Sequence, residues 1–426
     1  MKSVSKNLNS NISQKLFYLI VLILFLRVDL VFENNTPTGG DMGAHIVAID
    51  TFIKDFMPNF QINGWSNDWF GGYPLYYFYF PLPAIITFIF NLVFPFGIAF
   101  KIMVVMSTIL VVYSIEKLMR KTSNQISIYG ATAGLFYVFT ESFTIYGGNL
   151  ASTLAGQFSF AYSLAFANLS IFYLIKSENN FRFTISSIFL AFCLLSHLIP
   201  FIIYSPIYAF YWLSKKQNLN QRILSIFIFL ALASRWTTSL LMNLEYTTNM
   251  SYTPFSRLDD LIKKDILPII FILIGLLIAK HKNLIKNKTL NLFDFYIVSS
   301  SILLYFYVPE GALWNGRLVP FFNLGIIFLF FKAVEIFIDD INLYQQGVNV
   351  LTGLFLGGTI YCLYIFYEKW SSNQSYLNLY IPIIFLIMIF AILNLKNVDV
   401  QLNLLIISII FSTLLFPLIF SLSRNK

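Results

Sequence analysis

The chain has 426 residues, of which 58% are hydrophobic and 11% charged, whereas soluble domains carry about 25% charged residues. That composition excludes an ordinary soluble domain. The formal net charge of +8 reads as the positive-inside bias of membrane loops, not as a nucleic-acid footprint, so no nucleic-acid partner is expected.

The apolar runs are continuous, as at 223–233, 267–279 and 402–420, and do not alternate. In lipid the backbone must satisfy its own hydrogen bonds, and continuous runs select helices over a barrel. Lys2, Lys6 and Lys15 precede an apolar run at 16–26 with no small-residue cleavage site after it, which predicts an uncleaved signal anchor.

Further basic clusters follow at Lys117/Arg120/Lys121, Lys176/Arg182, Lys215/Lys216/Arg222, Lys280/Lys282/Lys286/Lys288 and Lys396. If all face the cytoplasm, an even number of crossings separates neighbours. Out-and-back pairs are then predicted at 126–143 with 158–175, 183–199 with 200–213, 223–240 with 267–279, 292–308 with 318–333, and 349–367 with 379–395. A final crossing falls at 402–421. Before Lys117 there are three apolar segments, 16–32, 76–94 and 98–115. The middle one carries Pro81 and Pro83 and is followed by Pro95. It is expected to lie along the outer interface, or to dip and return, because spanning would put Lys117 outside.

The expectation is an all-α polytopic membrane protein of about 13 spanning helices. An outer loop at 33–98 carries juxtamembrane helices, one module runs to residue 340, and additional helices occupy 341–426. The N-terminus is cytoplasmic in this scheme, and the membrane is the plasma (inner) membrane. Arg257, Lys263 and Lys264 fall on the outer side, offset by Asp259, Asp260 and Asp265. The two cysteines, Cys193 and Cys362, sit inside apolar runs and are expected to pack. The polar, glycine-rich or Trp-containing interruptions of the first 340 residues, at 33–74, 141–157, His197, 243–265 and 309–317, land on the outer face.

The first outer loop is acidic, with Glu33, Asp41, Asp50, Asp55 and Asp68 against Lys54. Asp41 follows Gly39–Gly40 at the expected N-cap of a helix, and His45 lies one turn on. The pair reads as a carboxylate base with an imidazole neighbour, or as ligands for a divalent metal such as Mg or Mn; the competing reading is a simple cap. Trp65, Trp69 and Tyr73 form an aromatic turn, either an interface belt or a platform for a sugar's apolar face. Glu141 and Asn149 belong to a second, glycine-containing outer loop. His197 and Arg235 stand near the outer ends of apolar helices, where a polar group needs a partner or a ligand. In the last outer hairpin Glu310, Trp314, Asn315 and Arg317 are crowded together. The fork of Arg317 suits a phosphate, or else pairs with Glu310.

The ordered motifs GGDMGAH (39–45), GW..DWFGGYPLYYFYFPLP (64–83), FTIYGGNLASTLAGQF (143–158), LSHLIP (195–200), YTTNM (246–250) and LWNGRLVPF (313–321) resemble a group of bacterial membrane proteins. These are the 6-pyruvoyl-tetrahydropterin-synthase-related proteins, within the GT-C superfamily of integral-membrane glycosyltransferases. The zinc-binding histidine cluster of the pterin enzyme has no counterpart among His45, His197 and His281.

The resemblance implies transfer of a sugar from a polyprenyl-phosphate donor to a glycan, lipid or protein acceptor at the outer face. Asp41 is then the leading acid, with His45 beside it and Asp68 and Glu141 as second acids. Arg317 holds the donor phosphate, with Arg235 a second candidate, although Ser234–Arg235–Trp236 departs from the apolar run of relatives. Two rival readings are a transporter or flippase of lipid-linked saccharides, which needs polar residues at mid-membrane, and a non-catalytic membrane subunit.

Overall fold

The structure, a computed structural model, describes residues 26–122, 128–140, 144–176, 180–217, 219–248, 254–256, 258–262, 292–308 and 313–341, with a few isolated positions between them. The predicted helices over 341–426, the signal anchor before residue 23, Glu141 and Glu310 lie outside the described residues. The chain divides into two units, 1–263 with 290–328, and 264–289 with 329–426. The second is described mainly at 329–341, the end of one helix. The first holds all the candidate residues that are described.

Helix α1 (Met42–Thr51) runs into a π-helical turn at Phe52–Phe56 and a 3-10 turn at Met57–Asn59. A two-stranded antiparallel hairpin follows, β1 (Gly64–Ser66) with β2 (Tyr73–Leu75), Trp65 facing Pro74 in register. Helix α2 (Leu82–Asn91) starts after Pro81 and stops short of Pro95, and α3 (Phe96–Thr122) begins directly after that proline. The ten residues of α2 extend about 15 Å, half of a hydrocarbon core of about 30 Å. The prolines thus shorten 76–94 below crossing length, as its composition predicts.

The remaining helices are α4 (Ile128–Phe139), α5 (Phe158–Ile175), α6 (Asn180–Ser196), α7 (Leu198–Ser214), α8 (Leu219–Met242), α9 (Leu292–Tyr307) and α10 (Val319–Ile341). Among the described residues, four segments are long and apolar enough to cross a membrane: Phe96–Met119, Leu150–Ile175, Leu219–Met242 and Asn315–Ala333. The protein is a multi-helix membrane protein.

Side-chain pairings give the directions. Gly130 and Gly134 of α4 sit over Glu116 and Val112 of α3, so the two helices are antiparallel. The Tyr162 hydroxyl donates to the Met103 carbonyl (2.7 Å) and Asn168 to Ser114 (3.2 Å), which sets α5 parallel to α3. Between α6 and α7, Tyr208 meets Ser186 at 3.1 Å and Trp212 stacks on Phe183, an antiparallel hairpin about His197. Trp212 Nε1 donates to Ser225 (3.0 Å), and Phe201 stacks on Phe229, so α8 returns along α7. Helix α5 is buried over nearly its whole length. Helix α8 buries only Ser225, Ala233 and Trp236, the exposure expected of a helix wetted by lipid.

These directions sort the polar residues by end. One end, the loop end, gathers the start of α3, the finish of α4, the start of α5, the α6–α7 turn, the finish of α8 and the start of α10. The opposite end holds Lys117, Lys176, Arg182, Lys215 and Arg222. There Lys215 Nζ donates to the Ile175 carbonyl (2.7 Å), and Arg222 reaches the Lys215 carbonyl (2.7 Å).

Candidate functional site

The site is assembled where the first loop meets the segment that opens α5. That segment is a π-helical turn, Thr153–Gln157, broken by Gly156 at φ 105°; such bulges recur at functional positions. Gly40, at φ +52°, lies against it so closely that an added Cβ would come within 2.4 Å of the Ala155 carbonyl oxygen. The Asp41 backbone N–H donates to that same carbonyl at 3.0 Å. Glycine is required at Gly40 by both conformation and proximity.

Asp41 stands at the N-cap of α1, as the sequence predicts, yet its carboxylate accepts no hydrogen bond from the helix. It is exposed and receives instead Gln157 Nε2, at 3.4 Å. The Gln157 Oε1 accepts from Arg317 Nη1 at 2.7 Å. The same nitrogen donates to the carbonyls of Ile145 (3.1 Å) and Tyr146 (3.0 Å). An acidic residue of the first loop and a basic residue of the last hairpin, 276 positions apart, are thereby joined through one amide.

His45 lies one turn from Asp41, edge-on to Phe158 (4.8 Å between centroids) and tilted on Tyr79 (5.4 Å). Burial pulls its imidazole below the usual histidine range, opposed by the charge of Asp41 and by the Gly156 carbonyl. Tyr79 is half-buried beside it; desolvation pushes its hydroxyl up to about 12, against the Ser159 hydroxyl and the charge of Arg317. Above Arg317, Tyr146, Phe255 and Trp314 form an aromatic cluster with centroids 5.1 to 5.8 Å apart, and the guanidinium lies 5.9 Å from the Trp314 ring.

Other predicted residues serve the scaffold. Asn149 is buried and caps the turn that follows it, accepting from the Ser152 N–H (2.7 Å) while donating to the Thr140 carbonyl (2.7 Å). Asn315 is likewise engaged with the Phe255 backbone and the Tyr305 carbonyl. His197 breaks α6 from α7, accepts from the Ile199 N–H (3.2 Å) and stacks on Phe80 at 4.7 Å. Asp68 accepts from Thr51 (2.5 Å) and Ser66 (3.1 Å), which closes the hairpin onto α1. Arg235 donates to the Phe60 carbonyl (2.8 Å). Next to it the buried Trp236 donates to the Tyr79 carbonyl (2.8 Å), and Ser239 pairs with Asn63 (2.6 Å). The departure noted at Ser234–Arg235–Trp236 is thus a latch that fastens the first loop to α8. Trp65 is exposed over Gly72, and Trp69 tilts against Tyr73 at 5.7 Å.

Gln157, Tyr79, Tyr146 and Phe255 are members of this constellation that the sequence reading does not single out. Gln157 lies at the end of the FTIYGGNLASTLAGQF motif; its one signal is a polar residue after a glycine at the head of an apolar helix. Among the described residues no third His, Cys, Asp or Glu stands with Asp41 and His45 as a metal-binding group. An imidazole is also a poor partner for Mg or Mn, which favour oxygen ligands.

No family model and no curated protein matches the sequence, so the narrower family resemblance has no support beyond its motifs. The fold does have solved relatives. The chain is similar to ArnT from Cupriavidus metallidurans in its apo state, with a TM-score of 0.55 and 12% identity over 95% of this chain and 74% of that one. It is also similar to the arabinofuranosyltransferase AftD from Mycobacteria, with a TM-score of 0.54 and 12% identity over 80% of this chain. It spans only 27% of the length of AftD. The architecture is the multi-helix membrane fold that these two solved structures share.

Proposed function

We propose that this protein is a glycosyltransferase that moves a sugar from a polyprenyl-phosphate donor to an acceptor hydroxyl, at the outer face of the plasma membrane. The observation that carries the reading is the Arg317–Gln157–Asp41 chain, which sets a cation and a carboxylate one amide apart at the loop end. Displacing a lipid phosphate from an anomeric carbon needs these two groups: a base on the attacking hydroxyl and a cation on the leaving phosphate. The fold shared with ArnT and AftD agrees with it.

In the reaction, the carboxylate of Asp41 takes the proton of the acceptor hydroxyl as its oxygen bonds to the anomeric carbon. The bond from that carbon to the phosphate oxygen breaks, and its electron pair leaves with the polyprenyl phosphate, which Arg317 stabilises. Direct displacement inverts the anomeric centre. The residues of the candidate site gather at one end, which favours transfer over passage through the bilayer.

The test is purified protein in nanodiscs with a panel of polyprenyl-phospho-sugars, following donor loss. At least one donor is consumed by the wild type, while Asp41→Asn inserts normally and loses at least about 100-fold in rate. An Asp41→Asn protein as active as the wild type would remove the assignment.

A further inference from the structure

The amide between the two charged residues is chemically directed. A guanidinium can only donate and an ionised carboxylate can only accept, so Gln157 must present its oxygen to Arg317 and its nitrogen to Asp41. Among side chains of that length, glutamine is the neutral one that satisfies both at once. Its backbone is also fixed. Gly156, in the left-handed region, lies against Asp41 and His45, where an added Cβ would come within 2.9 Å of Asp41 Cβ and 3.2 Å of His45 Cδ2. The Asp41 N–H is tied to Ala155, two residues before Gln157.

We infer that Gln157 is a positioning residue for transfer, holding the base and the phosphate-binding cation in mutual register. The inference rests on the glycosyltransferase reading above. The bond to Arg317, at 2.7 Å, is tight, and that to Asp41, at 3.4 Å, is long; catalytic hydrogen bonds often tighten only when substrate is bound. A donor that draws on Arg317 acts on the Gln157 amide as well, and through it on the direction of the Asp41 carboxylate.

Two substitutions separate the halves of the bridge. Gln157→Met fills nearly the same volume but neither donates nor accepts. Gln157→Glu keeps an acceptor for Arg317 while setting a like charge against Asp41. Both variants are expected to fall about 100-fold in kcat, the scale of a small misplacement of reacting groups. KM for the donor stays within about threefold for Gln157→Glu, because Arg317 keeps its partner, and rises further for Gln157→Met. Thermal melting in nanodiscs matches the wild type, which separates positioning from a fold defect.

Wild-type kcat in Gln157→Glu would overturn the inference, as would kcat losses accompanied by a matching loss of melting temperature. Asp41→Asn serves as the marker. If it is inactive while both Gln157 variants are fully active, the inference fails and the glycosyltransferase reading stands. If Asp41→Asn is itself active, the reading fails and takes the inference with it.

Discussion

At Asp41 two roles compete for one carboxylate, and the capping role lacks its hydrogen bond. An N-cap side chain normally accepts from the first turn, but here the cap position is filled and the capping bond is absent. The sequence leaves both readings open because the residue types suited to each are the same. Arg317 illustrates a different limit: its aromatic neighbour Trp314 is legible in the motif, whereas its partners Ile145, Tyr146 and Gln157 come from another loop. Arg317→Lys keeps the charge and loses the planar fork, so kcat/KM for the donor should drop about tenfold or more. Unchanged donor kinetics would make the guanidinium structural.

His45 offers a second prediction at this scale. Its folded-state affinity for protons is reduced, chiefly by burial, from an ordinary pKa of 6.5. The unfolded chain therefore binds the proton more readily, and stability falls as pH drops through about 6.5 toward the folded value. Melting followed from pH 8 to pH 5 should show this decline, and His45→Gln should flatten it. Parallel curves for the two proteins would mean that the imidazole is not the group responsible.

Among the elements, the first outer loop is the one whose structure departs most from what periodicity conveys. Helix α1 and the stop at Pro95 follow from cap and proline signals. The β-hairpin and the latch onto α8 do not, because the hairpin's strands are three residues each, too short to show an alternating pattern, and the latch joins residues 157 to 176 positions apart. Trp236 is 1% exposed, deeper than an interfacial tryptophan, because its indole N–H is spent on the Tyr79 carbonyl. Trp236→Phe leaves that carbonyl unpaired at a cost of about 1 kcal/mol or more. The variant should melt lower and should expose the loop to proteolysis between residues 60 and 72. Protection equal to the wild type would show that the latch is not what fastens the loop.

For the whole molecule, the charge pattern was the most informative signal. The pairing of α6 with α7, of α7 with α8 and of α3 with α4 places Lys176, Lys215 and Arg222 together, away from every residue of the candidate site. Bulk charge bias and apolar length survive in a single sequence, so the order of the described helices could be read from it. The convergence of Asp41, Gln157 and Arg317 could not, since it depends on how three loops pack. A reporter fused after Gly148 should appear outside the cell, and one after Lys216 inside; the reverse pattern would invert the molecule and displace the site to the cytoplasm.

The exposed carboxylate of Asp41 and the partly covered guanidinium of Arg317 share one amide yet meet different surroundings. On the proposed reading, the donor phosphate and the acceptor hydroxyl need not share one contact surface. Donor and acceptor meet across the side chain of Gln157. Acceptors of very different bulk could then be served by one site, since what must fit is a single hydroxyl reaching Asp41 from the aqueous side.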